Sequence, residues 1–195
     1  MAIDISLDEL LGWTAEERAK WRPWLKANPS ALEVTVQPGG RFPTVAALID
    51  HIFLVEVRHT LRLQGKELPT QSGVTPNDID GLFIFGQRAR DGVKQFLPTI
   101  AMNDLNTPRD VVVASGTYSL SPRKLLFHMA LHEVRHWAQI AAAVRMAGFT
   151  HPATTTCSTR TPSGSAPAAH DGGMISGSDP EILPARNSRR DDFGV

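Results

Sequence analysis

The sequence has a single cysteine, Cys157. One thiol cannot close an intramolecular disulfide, which excludes a disulfide-stapled extracellular scaffold and leads us to expect a reducing, cytoplasmic setting. Net charge is also missing, because twenty basic and twenty acidic residues cancel. Nothing global therefore points to nucleic acid or to an anionic membrane surface. No stretch approaches the ~18 consecutive apolar residues of a membrane span. The opening MAIDISLDELLGW is acidic where a secretion signal needs positive charge. There are no internal repeats, and no alternation of strand and helix patterns of the kind a parallel α/β sheet requires. What remains is a neutral chain of 195 residues, 42% hydrophobic and 21% charged, which suits one globular domain with a sizeable core.

Apolar periodicity predicts four long helices. The first covers residues 7 to 27, with Leu7, Leu10, Leu11, Trp21, Trp24 and Leu25 at helical spacing. Thr14 and Glu17 match a capping box and offer a second possible start, and Asn28-Pro29 stops the helix. Leu32 to Val36 reads as a short β-like patch before a Pro38-Gly39-Gly40 turn. The second helix runs from about 45 to 64, capped by Thr44 and ended by Gly65. The third opens at Thr75-Pro76 and runs to about Leu97, with Leu82, Phe85, Ala89, Val93 and Phe96 on one stripe. Val111 to Val113 and Thr117-Tyr118 flank Ser115-Gly116 as a small hairpin or extended connection. Ser121-Pro122 is a strong start for the last helix, which Gly148 ends. Residues 150 to 195 are rich in Thr, Ser, Pro and Gly and too poor in apolar groups to offset their ordering entropy, so a disordered tail is expected. The expectation is an all-α four-helix bundle over 1–149, with a short extended element before the last helix and a tail over 150–195.

The chemistry concentrates in HMALHEVRHWAQ, residues 128 to 139. His128, His132 and His136 follow one another at four-residue spacing, and H-E-V-R-H matches the H-E-x-x-H zinc-protease pattern. Residues at i and i+4 share a helix face about 6 Å apart, so His132 and His136 can reach one ion. A catalytic zinc site usually takes three protein ligands. Three readings follow. In a zinc metalloprotease the third ligand lies downstream and Glu133 acts as base, but the usual H-x-x-G-x-x-H extension is missing, with Gln139 where its glycine would stand. The later candidates are only His151, His170 and Glu181. In the second reading the ligand lies upstream, at His51, whose neighbours Ala47, Leu48, Leu54 and Val55 are all apolar. A histidine in such a stripe is costly unless its nitrogens are satisfied. In the third, the helix simply carries histidines on a polar face.

The pattern of TVAALIDH in the second helix followed by SPRKLLFHMALHEVRHWAQIAAAVRMAGF in the last, in a stretch that includes GGRFPTVAALIDHIFLVE and FGQRAR, resembles the DinB/YfiT-like group of metal-binding four-helix proteins. The resemblance covers roughly residues 5 to 149. It implies that His51, His132 and His136 hold one divalent ion, often zinc or nickel. His128 and His59 fall outside the family pattern. The arginine-glycine usual after the second histidine of the pair is Trp137-Ala138 here, and the usual apolar C-terminal segment is replaced by the polar tail. The resemblance further implies a cytoplasmic stress or detoxification protein that pairs as a homodimer. It would use a low-molecular-weight thiol as co-substrate for S-transfer to a small-molecule electrophile, or for thiol-dependent isomerisation. A non-catalytic metal-binding stress protein is the alternative. Glu133 is expected to support an imidazole or to pair with Arg135 or Lys124, and Gln139 to line the site or satisfy a backbone group.

Overall fold

The computed structural model describes residues 5–75, 77–113 and 116–152. The chain is mostly helical with one small sheet. The long helices are α1 (Leu7–Ala27), α2 (Val45–Leu63), α3 (Ile79–Phe96) and α5 (Pro122–Met146); α4 (Met102–Leu105) is a single turn. Strands β1 (Arg109–Val113) and β2 (Gly116–Leu120) pair antiparallel, Val111 opposite Tyr118, so the hairpin alternative holds. No helix among the described residues is long and apolar enough to cross a membrane.

Helix α1 starts where expected, while two other elements differ from expectation. Helix α1 begins at Leu7, not at Thr14, because Ser6 and Glu9 form the capping box. The Ser6 hydroxyl accepts from the Glu9 N–H at 3.2 Å, and the Glu9 carboxylate accepts from the Ser6 N–H at 2.8 Å. Thr14 is instead buried, its hydroxyl donating to the Leu11 carbonyl. In the β-like patch at 32 to 36, Leu32 and Glu33 end a 3₁₀ turn, Pro29–Glu33, and only Thr35 pairs as a strand would, bridging to Thr44. Helix α3 starts at Ile79, where the Asp78 carboxylate accepts from Gly81 N–H, rather than at Thr75-Pro76. The expected tail lies outside the described residues beyond His151-Pro152, as do Cys157, His170 and Glu181.

Two apolar clusters reveal the helix directions. One joins Trp21 and Leu25 late in α1, Val45 to Phe53 early in α2, Leu82 and Phe83 early in α3, and Trp137 to Val144 late in α5. The other joins Leu11, Leu63, Val93 and Leu125 to Met129 with Val111 of the hairpin. Helices α1 and α5 therefore run one way and α2 and α3 the other. Contacts link α1 to α3 and α5, and α2 to the same pair, so α1 and α2 sit diagonally. Because α2 and α3 point the same way, segment 64–78 must return along a helix of 19 residues, roughly 28 Å at 1.5 Å per residue. Arg58 pins that return, donating to the carbonyls of Pro69 and Thr70 at 2.8 and 2.6 Å.

Between the clusters lies a layer of buried charge, one residue from each long helix: Arg18, Glu56, Arg90 and Glu133. The Glu133 carboxylate accepts from Arg18 at 2.5 and 2.7 Å, from Arg90 at 2.8 Å and from the Trp137 indole at 3.1 Å. Glu56 accepts from Arg90 Nε at 2.5 Å and from Arg18 Nη2. Remaining donors reach the carbonyls of Gly86 and Leu11 and the Thr14 hydroxyl. Two positive and two negative groups, all hydrogen-bonded, meet the condition under which buried charge is tolerated. Burial alone would lower the pKa of Arg18, but Glu56 and Glu133 outweigh it and raise it further. Gly86 permits the close packing here, since a Cβ would stand 2.8 Å from the Phe53 ring.

Candidate metal centre

Helix α2 presents His51, and antiparallel α5 presents His132 and His136 one turn apart. All three are buried. The i, i+4 spacing puts the α5 pair side by side, with Nε2 atoms 2.9 Å apart. His51 arrives from the facing helix, its Nε2 3.1 Å from that of His132. The three donor atoms lie within 4.8 Å of one another. The upstream candidate, His51, therefore meets the pair. His151 contacts the carbonyl of Pro152 and lies outside the cluster.

The hydrogen bonding of His136 leaves its Nε2 able to bind a cation. Gln139 Oε1 faces His136 Nδ1 at 2.6 Å, so that nitrogen carries the proton and Nε2 keeps its lone pair. Gln139 thus orients a candidate ligand, the role outer hydrogen-bond partners commonly play at metal sites. Three nitrogens crowded at hydrogen-bond distance cannot all be satisfied by protons, whereas one divalent ion accepts a lone pair from each. Imidazole nitrogens ligate zinc at about 2.0–2.1 Å, which places two ligands of a tetrahedral ion about 3.4 Å apart. The separations of His132 from His51 and from His136, 3.1 and 2.9 Å, come within about 0.5 Å of that value.

The electrostatics agree. Burial, then His136, then Arg41, Arg58 and Arg135 push the His51 pKa down to about 3. Burial and the neighbouring histidines depress His132 strongly. His136 is lowered by burial, partly countered by its bond to Gln139. Neutral rings are the form that binds metal.

The loop before α2 builds the rim. Val36 N–H donates to the Pro43 carbonyl at 2.8 Å, and Val45 N–H to that of Val34 at 3.0 Å. This holds Phe42 stacked on the His51 ring, with centroids 3.8 Å apart. The Arg41 guanidinium lies 5.4 Å from the Phe42 ring centre. Beside His136 opens a cavity of about 570 Å³, lined by Val36, Phe42, Leu48, Gln139 and Met146 among others.

Glu133 takes neither expected role. It does not face Arg135, Lys124 or an imidazole, and the protease base it would supply is locked beneath two guanidiniums. Its direction follows from the roughly 100° step between successive helical residues, which turns it away from His132 toward Arg18 and Arg90. The four-charge layer was not anticipated, although a signal was present: Glu56 is flanked at helical spacing by Ile52, Phe53, His59 and Thr60, all buried. Gln139 does line the site, bonded to an imidazole and not to backbone. His59 and His128 form a second ring pair one step along the same helix interface, 5.7 Å between centroids.

No curated protein matches the chain. A family model described as the DinB family matches residues 4–164. That match spans most of the chain, including all four long helices and the three converging histidines, and the chain belongs to the DinB family.

Proposed function

We propose that this DinB-family protein is a four-helix bundle that holds one zinc or nickel ion on His51, His132 and His136 and uses it to transfer a low-molecular-weight thiol to a small electrophile. The observation that carries this reading is the convergence of three buried imidazole nitrogens beside a cavity large enough for a small-molecule ligand. Three neutral ligands leave a divalent ion its full charge, and an open coordination position would let it lower the pKa of a bound thiol toward neutrality.

The chain's own groups suit an anionic sulfur. Arg41, Arg58 and Arg135 all add positive potential at His51. Among the described residues no carboxylate takes part in an ion pair with Arg41 or Arg135. The apolar walls, Phe42, Leu48 and Met146, would exclude water from the electrophile, and Gln139 holds His136 in its ligating tautomer. In the reaction the bound thiol would lose its proton to solvent, the sulfur would form its bond to the electrophilic carbon, and the leaving group would depart with the electron pair of the bond that breaks. No cysteine of the chain takes part.

The test has two stages. Purified protein should contain about one equivalent of zinc or nickel, and His51→Ala should lose it; full retention in the variant would sink the site. Metal-loaded protein should then consume a thiol with monochlorobimane, releasing chloride, and His51→Ala should not. Stoichiometric metal with no thiol consumption for any electrophile would leave the non-catalytic metal-binding reading. A family's fold and site carry further than its reaction, because one bundle hosts several chemistries.

A further inference from the structure

Three buried imidazole nitrogens have no partner among the described residues: His59 Nε2, His128 Nε2 and His132 Nδ1. They belong to neighbouring rings. His128 stands between the other two, with centroids 5.7 Å from His59 and 5.8 Å from His132. Leaving such groups unsatisfied is costly, and His59 is only 1% exposed.

Their proton inventory is fixed by what lies on the far side of each ring. The Arg62 guanidinium can only donate, and its Nη1 stands 2.8 Å from His59 Nδ1. His59 therefore carries its proton on Nε2 and offers a donor. On the reading that His132 ligates the ion through Nε2, its proton sits on Nδ1, giving a second donor. His128 is the only ring of the three whose tautomer is free to supply an acceptor. Two donors and one acceptor are complementary to a single water, which accepts twice and donates once, and buried waters typically make about three hydrogen bonds. Two imidazoles bonded to one oxygen at about 2.8 Å have ring centres roughly 5.5–6.5 Å apart, the range His128 shows with each of its two neighbours.

We propose that His128 is a positioning residue for the metal centre. Through one buried water it accepts the Nδ1 proton of His132, while His59, oriented by Arg62, supplies the second donor to that water. This inference rests on the metal reading above. It gives His132 the kind of outer partner that Gln139 gives His136, and it accounts for two histidines that the ligand set does not use. Removal of such a partner characteristically weakens metal binding 10–100-fold.

The experiment uses the full chain, zinc alone and a competing chelator. His128→Phe keeps a ring but removes both nitrogens, and should weaken zinc binding by about 10–100-fold without lowering the thermal midpoint of the metal-free protein. His128→Gln, which keeps an acceptor, should recover most of the loss. Binding within twofold of wild type in His128→Phe overturns the proposal, as does a metal-free midpoint that falls in parallel with affinity. Long-range ¹H–¹⁵N spectra of the zinc-loaded wild type give an independent reading should the variant fail to fold. They should show protons on His59 Nε2, His132 Nδ1 and His128 Nδ1, and a proton on His128 Nε2 overturns the proposal. Wild-type protein that binds no zinc would instead defeat the metal reading itself, a distinct outcome.

Discussion

Glu133→Gln separates a structural from a catalytic role for the glutamate inside H-E-V-R-H. In the structure this carboxylate takes four donor contacts, from Arg18 Nε and Nη2, Arg90 Nη2 and Trp137 Nε1, at 2.5 to 3.1 Å. It is 3% exposed. The amide keeps one acceptor oxygen, but it turns the other into a donor facing guanidinium donors and leaves two buried positive charges sharing Glu56 alone. Breaking a buried pair by removing one partner costs about 3–5 kcal/mol. For a chain of this size, about 2–4 °C is lost per kcal/mol, so the thermal midpoint should fall by roughly 6–20 °C. Urea unfolding should agree: with a slope near 2 kcal/mol/M, the midpoint should drop by about 1.5–2.5 M. Differential scanning calorimetry and a urea titration, both on metal-free protein, make the measurement. At a temperature well below the midpoint, zinc affinity should change by less than the loss expected on removing a ligand. A variant of wild-type stability would refute the account of the layer. Should it also lose thiol or peptide turnover, Glu133 would return as a reacting group.

Other predictions concern the packing and the titrating groups. Gly86→Ala places a Cβ 2.8 Å from the Phe53 ring, next to the carbonyl that accepts from Arg18, and should cost about 1–3 kcal/mol in urea unfolding. Gln139→Ala releases the His136 tautomer and should weaken zinc binding about tenfold in chelator competition while leaving the metal-free midpoint within a few degrees. His51 and His59 both have folded pKa values lowered by burial to about 3, against an ordinary 6.5. The unfolded chain therefore binds more protons below pH 6.5, and stability falls as pH drops from 6.5 toward 3. At pH 5.5 each contributes a loss of roughly 1 kcal/mol, and His132, which burial depresses strongly as well, adds a comparable loss, so metal-free protein should be several kcal/mol less stable there than at pH 7.5. Urea midpoints that coincide at the two pH values would contradict the burial of these rings.

Much of the helical framework is legible because its signals are local. Ser121-Pro122 opens α5 and Gly148, at φ +87°, closes it. Thr44 caps α2, and Gly65, at φ +66°, ends it. Where local signals compete, the structure chooses on tertiary grounds. Thr14-Glu17 satisfies a capping pattern as well as Ser6-Glu9 does, yet Thr14 is needed inside, against Leu11 and Arg90. The strand-like Leu32 is drawn into the apolar cluster with Trp21 and Leu25 and held there on a 3₁₀ turn.

For the site, the sequence by itself determined that His132 and His136 share a helix face, because four residues make slightly more than one turn. It also marked His51 as anomalous, a polar ring in an apolar stripe. Only the tertiary structure could bring His51 to the pair, since that depends on α2 running antiparallel against α5 in one register. Nor does spacing reveal where Glu133 points relative to Arg18 and Arg90, which lie 115 and 43 residues away. A helix period orders residues around one axis, but which neighbour occupies each side is decided by how four axes pack. The same H-E-V-R-H thus supplies two candidate metal ligands on one side and a locked structural carboxylate on the other.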